Sequence, residues 1–227
     1  MKPSLSVLIP CYNVGSTVAS VVRGADSAAK KFTGTYEILA IDDASRDATA
    51  SILAELRIRF PALRVITHPV NLGYGRTIKE LYMTAKYNWL FSLPGDGQFD
   101  AAEIRKLLPE TARADMILGW RNHRNDPANR LVQSRVYNGI LNALFRLNLH
   151  DVNTIRLMKK AVISGVTLKS DSAFVDAELA IAARKHGFII REIPVTHRER
   201  RHRGATGGKF VNTIWPTILD ILRTVFT

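Results

Sequence analysis

One cysteine, Cys11, stands in 227 residues. A disulfide within the chain is therefore impossible, and a cysteine-rich zinc site is excluded with it. The six histidines show no zinc spacing either. No uninterrupted apolar run reaches the ~18 residues of a membrane span. The N-terminus enters a strand-like segment without the basic and apolar regions of a secretory leader. These absences lead to the expectation of a soluble or peripheral protein in a reducing compartment: the cytoplasm, or the inner face of the membrane. Internal repeats and low-complexity segments are missing as well. Acidic residues are scarce, 20 against 32 Lys and Arg, which leaves a formal net charge of +12 and a pI of about 10.1. Such a balance points to an anionic partner: nucleic acid, a phosphorylated small molecule or an anionic bilayer. The basic residues do not interleave with aromatics in a recognisable module, so specific nucleic-acid binding is not expected.

What is present is a chain rich enough in apolar residues, 46%, to bury a substantial core. Short β-branched runs alternate with helical patterns. Strand-like runs cover 4–10, 36–42, 64–67, 88–93 and 116–119. Helical patterns cover 17–30, 47–60, 74–86 and 101–111. This rhythm predicts an α/β fold, a Rossmann-like, mostly parallel central sheet with helices on both faces. Further helices are expected over 130–147 and 173–186, and a strand over 189–196. A basic, glycine-containing loop follows, 197–209. The last segment, 210–227, reads as an amphipathic helix, with Thr213, Thr217, Asp220 and Thr224 at helical spacing opposite Ile214, Ile218, Leu222 and Val225. Pro216 kinks it or marks its first turn. The domain reading is 1–209 as one unit and 210–227 as an appended helix able to meet a membrane surface.

Three turns carry the chemistry. The run Val7-Leu8-Ile9 ends in Pro10-Cys11-Tyr12-Asn13, where proline stops the ladder and Tyr12 and Asn13 can stack on and hydrogen-bond a base. The run ending at Ile41 closes in Asp42-Asp43-Ala44-Ser45-Arg46-Asp47. Helix N-capping accounts for Asp47. Two adjacent carboxylates repel one another unless a cation or donors lie near, so one of the pair is expected to accept from base N–H groups or hold a ribose. The third turn is Pro94-Gly95-Asp96-Gly97-Gln98. Asp-Gly is also ordinary tight-turn chemistry. Read functionally, Asp96 is a hard oxygen ligand for Mg²⁺ or Mn²⁺ and Gln98 a weaker neutral one, with diphosphate oxygens completing the shell. Carboxylates just past buried strands sit where open α/β sheets bind ligands.

These turns, with Asn71-Leu72-Gly73-Tyr74-Gly75 between the second and third, match in order and rough spacing the signatures of family 2 glycosyltransferases with the GT-A fold. Within that family the chain most resembles the dolichol- or polyprenyl-phosphate mannosyl/glucosyltransferase-like branch. The likeness continues through Gly119-Trp120-Arg121, the segment with Arg130 and Ser134, Phe174 to Glu178, and Arg191-Glu192-Ile193-Pro194-Val195 before the basic loop.

The resemblance implies an inverting transfer of a sugar from a UDP- or GDP-sugar to a dolichyl or undecaprenyl phosphate. It implies Pro10, Tyr12, Asn13, Asp42, Asp43 and Gly73 around the nucleotide, and Asp96 with Gln98 on the metal. Asp96, Arg121 and Arg203 would serve the chemistry, and Arg130, Ser134 and Lys209 the acceptor phosphate. Alternative readings are a hydroxyl acceptor, or a nucleotide-sugar binder without turnover. Two departures stand out. Pro94 occupies the first Asp position of the family's Asp-x-Asp. The segment Asp151-Val152-Asn153-Thr154-Ile155-Arg156 lacks the small and aromatic residues the family carries there.

Overall fold

A computed structural model describes residues 2–121, 128–198 and 220–221, with side chains from 131 onward in the second stretch. Its strands are β1 (Leu5–Cys11), β2 (Tyr36–Asp42), β3 (Leu63–Thr67), β4 (Trp89–Ser92), β5 (Met116–Arg121), β6 (Arg156–Lys159) and β7 (Ile190–Val195). The helices are α1 (Val18–Phe32), α2 (Thr49–Arg59), α3 (Tyr74–Thr84), α4 (Ile104–Leu107), α5 (Ala128–Phe145), α6 (Lys160–Ser164) and α7 (Val175–Lys185). The strands form one sheet in the order β3-β2-β1-β4-β6-β5-β7. The first four are parallel, as is the β5–β7 pair; β6 runs antiparallel to both β4 and β5. The order turns around between β1 and β4, the place where open α/β sheets form a crevice at their carboxyl edge.

Side-chain alternation splits the core in two. Leu5, Val7, Ile9 and Cys11 of β1, with Ile38 and Ala40 of β2, face the valine and alanine side of α1. Leu8, Leu39 and Ile41 face the opposite way, onto Ile78, Leu81 and Tyr82 of α3 and the apolar side of α7. Each such buried aliphatic side chain contributes about 1.5–3 kcal/mol relative to exposure, which is why the central strands are near-continuous apolar runs.

The expected strands and helices of the first two-thirds are present to within a few residues. The predicted helix over 101–111 is instead three short pieces, Ala101–Glu103, α4 and Leu108–Ala112. Pro109 at the start of the last piece cannot continue the α-helical ladder. The strand expected over 116–119 runs on to Arg121. β6 is not among the expected strands: Arg-Leu-Met-Lys has no strand alternation that water would explain, because Arg156 is itself buried.

Of the segment 210–227, Asp220 and Ile221 alone lie among the described residues, and both are helical. Asp220 Oδ2 accepts from Ser170 Oγ at 2.6 Å and Ser172 Oγ at 2.7 Å. Ile221 packs on the α3–α7 side of the core. Among the described residues no helix is long and apolar enough to cross a membrane.

Candidate active site

The three turns expected from sequence end adjacent strands. Cys11 is in register with Asp42, and Asp43 N–H donates to Cys11 O at 2.9 Å. On the other side of β1, Leu93 N–H donates to Leu8 O at 2.9 Å and Gly95 N–H to Pro10 O at 3.3 Å. The Pro94-to-Gln98 turn therefore lies directly against the end of β1. A Cβ at Gly95 would meet Pro10 O at 3.0 Å, and Gly97 has φ +72°, so the turn needs glycine at both places. Thr17 Oγ1 donates to Gly95 O at 2.8 Å and ties the turn to the start of α1.

The loops after β1 and β2 are laced together. Asn13 N–H donates to Ser45 Oγ at 2.9 Å, and Arg46 N–H donates to Asn13 Oδ1 at 2.8 Å. Val14 N–H reaches Thr49 Oγ1 and Gly15 N–H reaches Asp47 Oδ2, each at 2.9 Å. Asp47 Oδ1 also accepts from Thr49 N–H at 3.0 Å, the helix-start role expected of it. Asn13 (φ 52°) and Ala44 (φ 55°) sit in the left-handed region. For Ala44 that costs about 1 kcal/mol, held in place by the surrounding bonds. The Asn13 side-chain oxygen is thus engaged within the protein. Tyr12, the residue just past β1, is half-buried.

Asp42 and Asp43 have different environments. Asp42 Oδ1 accepts from the hydroxyl and the amide of Ser45. Its Oδ2 is buried and has no hydrogen-bond partner among the described residues. The Asp43 carboxylate is filled: Oδ1 takes His68 Nδ1 (2.7 Å) and Leu72 N–H (2.7 Å), and Oδ2 takes Asn71 Nδ2 (2.9 Å) and Gly73 N–H (2.9 Å). Two bonds on each oxygen is about all a carboxylate accepts. Asp43 organises the Asn71-to-Gly73 loop.

Asp96 Oδ1 accepts from Gln98 N–H at 3.1 Å, so the carboxylate is pinned by its own turn. Gln98 Nε2 lies 3.1 Å from His197 Nε2. His197, just past β7, is buried and packs edge-on against Phe99. Arg198 N–H donates to Gln98 O at 2.8 Å and fixes the end of β7 against the turn. Asp96 and Gln98 share this turn, and the His197 imidazole lies against the Gln98 amide. Carboxylate and amide oxygens are the hard donors that Mg²⁺ or Mn²⁺ takes beside phosphate oxygens; among the described residues no group of three or more His, Cys, Asp and Glu is placed to hold a metal ion. Sequence reasoning missed His197, because 99 positions separate it from Gln98 and no motif joins them.

Arg121 makes a two-pronged pair with Asp151, Nε to Oδ2 at 2.5 Å and Nη2 to Oδ1 at 2.9 Å. Asp151 is buried, so the segment that departs from the family pattern holds this arginine at the end of β5. Trp120 stacks on His150 with ring centroids 4.9 Å apart. Ser134 is half-buried on α5, and its oxygens accept from Asn138 Nδ2 at 2.9 and 3.3 Å. The Arg130 side chain, Arg203 and Lys209 lie outside the described residues. Cys11 is enclosed, and burial, then the charges of Asp42 and Asp47, push its thiol far above the usual range. It is a neutral packing residue.

The profile of glycosyl transferase family 2 matches residues 6–166. The chain is 26% identical over 228 residues to the dodecaprenyl-phosphate galacturonate synthase of Rhizobium johnstonii, covering 98% of this chain and 66% of that protein. It is 29% identical over 203 residues to the undecaprenyl-phosphate 4-deoxy-4-formamido-L-arabinose transferase of Pseudomonas fluorescens, covering 87% of this chain and 58% of that protein. The chain thus spans roughly three-fifths to two-thirds of the length of these curated relatives. Among solved structures, the glucosyl-3-phosphoglycerate synthase of Mycobacterium tuberculosis, with Mn²⁺, uridine diphosphate and phosphoglyceric acid, superposes with a TM-score of 0.77. It shares 14% identity and covers 98% of this chain and 78% of that one. At that identity the likeness is one of fold, the GT-A fold.

Proposed function

The chain belongs to glycosyl transferase family 2, and on that premise we propose that it transfers a sugar from a UDP- or GDP-sugar to a polyprenyl phosphate, with inversion at the anomeric carbon. The observation that carries this reading is the convergence of the turns after β1, β2 and β4 beside the Gln98–His197 contact. Asp42 Oδ2, without a partner among the described residues, is the acceptor offered to a ring N–H of the base. Tyr12 and Pro10 wall the same edge, and Asn13, Asp43 and Gly73 shape it. Asp96, Gln98 and His197 would hold the divalent ion, whose contribution is to offset charge on the departing diphosphate. Arg121 and Arg203 belong to the same charge-neutralising set.

An acceptor phosphate is ionised at neutral pH. Its oxygen forms the new bond to the anomeric carbon as the bond to the nucleoside diphosphate breaks, and no strong general base is required. Arg130, Ser134 and Lys209 are the residues assigned to orient it. Both curated relatives above are named for polyprenyl-phosphate sugar transfer, which supports this acceptor over a hydroxyl. Pro94 in place of a second carboxylate favours the binder without turnover as the competing reading.

The division into a catalytic unit, 1–209, and a C-terminal segment, 210–227, is part of the same proposal, as is a place at the inner face of the membrane. Support for membrane contact comes from α5. Val132, Val136, Ile140 and Leu144 are each 45–57% exposed and recur every fourth residue, so they form one apolar stripe. A lipid-borne acceptor would be met by this helix, which also carries Arg130 and Ser134.

The test is a panel of UDP- and GDP-sugars with Mn²⁺ or Mg²⁺, with and without undecaprenyl phosphate. Donor consumption that needs the lipid phosphate supports the reading. Nucleotide binding with no donor consumed would overturn it in favour of the binder.

A further inference from the structure

His68 follows β3 and is 6% exposed. Its main-chain N–H donates to Asp42 O at 2.9 Å, which extends the β2–β3 ladder by one residue and fixes where the ring sits. Both ring nitrogens face carboxylates. Nδ1 lies 2.7 Å from Asp43 Oδ1, and Nε2 lies 3.1 Å from Glu80 Oε2 on α3. A neutral imidazole has one N–H and one lone pair. It can donate to one of these oxygens but must then set a lone pair against the other. Only the imidazolium donates to both.

The other charges on the packed elements are turned elsewhere. Arg64 of β3 pairs with Glu37, and Arg76 and Lys79 of α3 pair with Asp171. Asp43 and Glu80 are therefore the groups that face the ring. Asp43 in turn gathers Asn71 Nδ2 and the main-chain N–H groups of Leu72 and Gly73. Gly73, at φ +86°, starts α3. A change at His68 reaches this loop through one carboxylate.

We propose that His68 is a positioning residue for the donor nucleotide: bridging Asp43 and Glu80, it locks the Asn71-to-Gly73 loop beside the end of β2, and losing its proton loosens that loop and weakens nucleotide binding. The inference rests on the nucleotide-sugar reading above. Burial by itself would lower the pKa of His68, but the hydrogen bonds to Asp43 and Glu80, and their charges, outweigh it and raise the pKa. For a raised pKa the stabilisation is complete below the unfolded value of about 6.5 and disappears as pH rises through the folded value. The loop is thus tightest in mild acid and slackens in alkali.

The experiment follows two readouts from about pH 5.5 to 9 in the full chain, in His68→Gln and in Glu80→Gln. One is the hydrogen-exchange protection factor of the Leu72 and Gly73 amides; the other is the affinity for UDP and for GDP by calorimetry. In the unaltered chain both should fall together as pH rises, by about three- to tenfold. Glu80→Gln should move the midpoint to lower pH, and His68→Gln should flatten both curves. Protection that does not vary with pH, or that varies equally in His68→Gln, would overturn the proposal. Amides that titrate with His68 while nucleotide binds with pH-independent affinity would overturn the donor-positioning role and leave the nucleotide reading standing. Binding of neither nucleotide at any pH would overturn both, and the amides would show His68 to be a latch of structure alone. Should His68→Gln fail to fold, the His68 imidazole titration by NMR in the unaltered chain and in Glu80→Gln reads the same bridge.

Discussion

Asp42 and Asp43 are neighbours in sequence, yet their carboxylates turn to opposite sides of the sheet edge. Asp42 meets Ser45 in the loop before α2, and Asp43 meets His68 and the loop before α3. The repulsion that makes paired acids look like a shared site is relieved by alternation along the strand. One carboxylate keeps a buried oxygen with no hydrogen-bond partner among the described residues, and the other is filled by donors.

The two should respond differently to mutation. Asp43→Ala strands three donors and a histidine, and should lower stability by about 3 kcal/mol, read by denaturant unfolding. Asp42→Asn leaves the fold nearly as stable but should weaken UDP or GDP affinity about tenfold. Equal losses of stability would contradict the division of roles.

Asp96→Ala should abolish metal-dependent turnover, and His197→Ala should weaken Mn²⁺ affinity by about ten- to a hundredfold. Metal titration with turnover as a second readout checks both. Full activity in Asp96→Ala, or undiminished Mn²⁺ affinity in His197→Ala, would remove that side chain from the ligand set.

The stripe on α5 predicts a membrane phenotype separable from catalysis. The double change Val136→Glu and Ile140→Glu should cut sedimentation with anionic liposomes at least several-fold, with little change in melting temperature, because both side chains are exposed. A chain truncated before residue 210 measures what the C-terminal segment adds. Unchanged liposome binding in both variants would end the membrane-contact proposal.

Cys11 should resist thiol reagents. Its pKa is raised by burial and by the charges of Asp42 and Asp47, so the thiolate stays negligible through about pH 9 while the protein is folded. Labelling should appear only with unfolding. Rapid labelling of the native protein at about pH 8 would show that the end of β1 opens.

The first four strands, their helices and the three turns are legible because each rests on a local signal. Apolar runs mark parallel strands covered on both faces, and Pro, Gly and Asp mark where they stop. α5 and α7 are also visible, as is the family from its ordered motifs. The antiparallel β6 is not, since its first residue is an arginine held inside by Asp176 at 2.9 Å. A buried charge reads in a sequence as a surface residue until its partner is known.

Pairings across long stretches of chain are equally hidden. His197 joins Gln98 through the closure of β7 against β5, and Arg121 on β5 finds Asp151, just before β6, where those two strands pair. Which of two adjacent aspartates keeps an oxygen without a partner among the described residues depends on donors 25 to 30 residues away. Local composition and periodicity were enough to specify most of the elements, β6 excepted, their order along the chain and the edge at which chemistry collects. The partners of each charged side chain came from folding, because a hydrogen bond depends on where atoms meet in space and leaves no mark at either position alone.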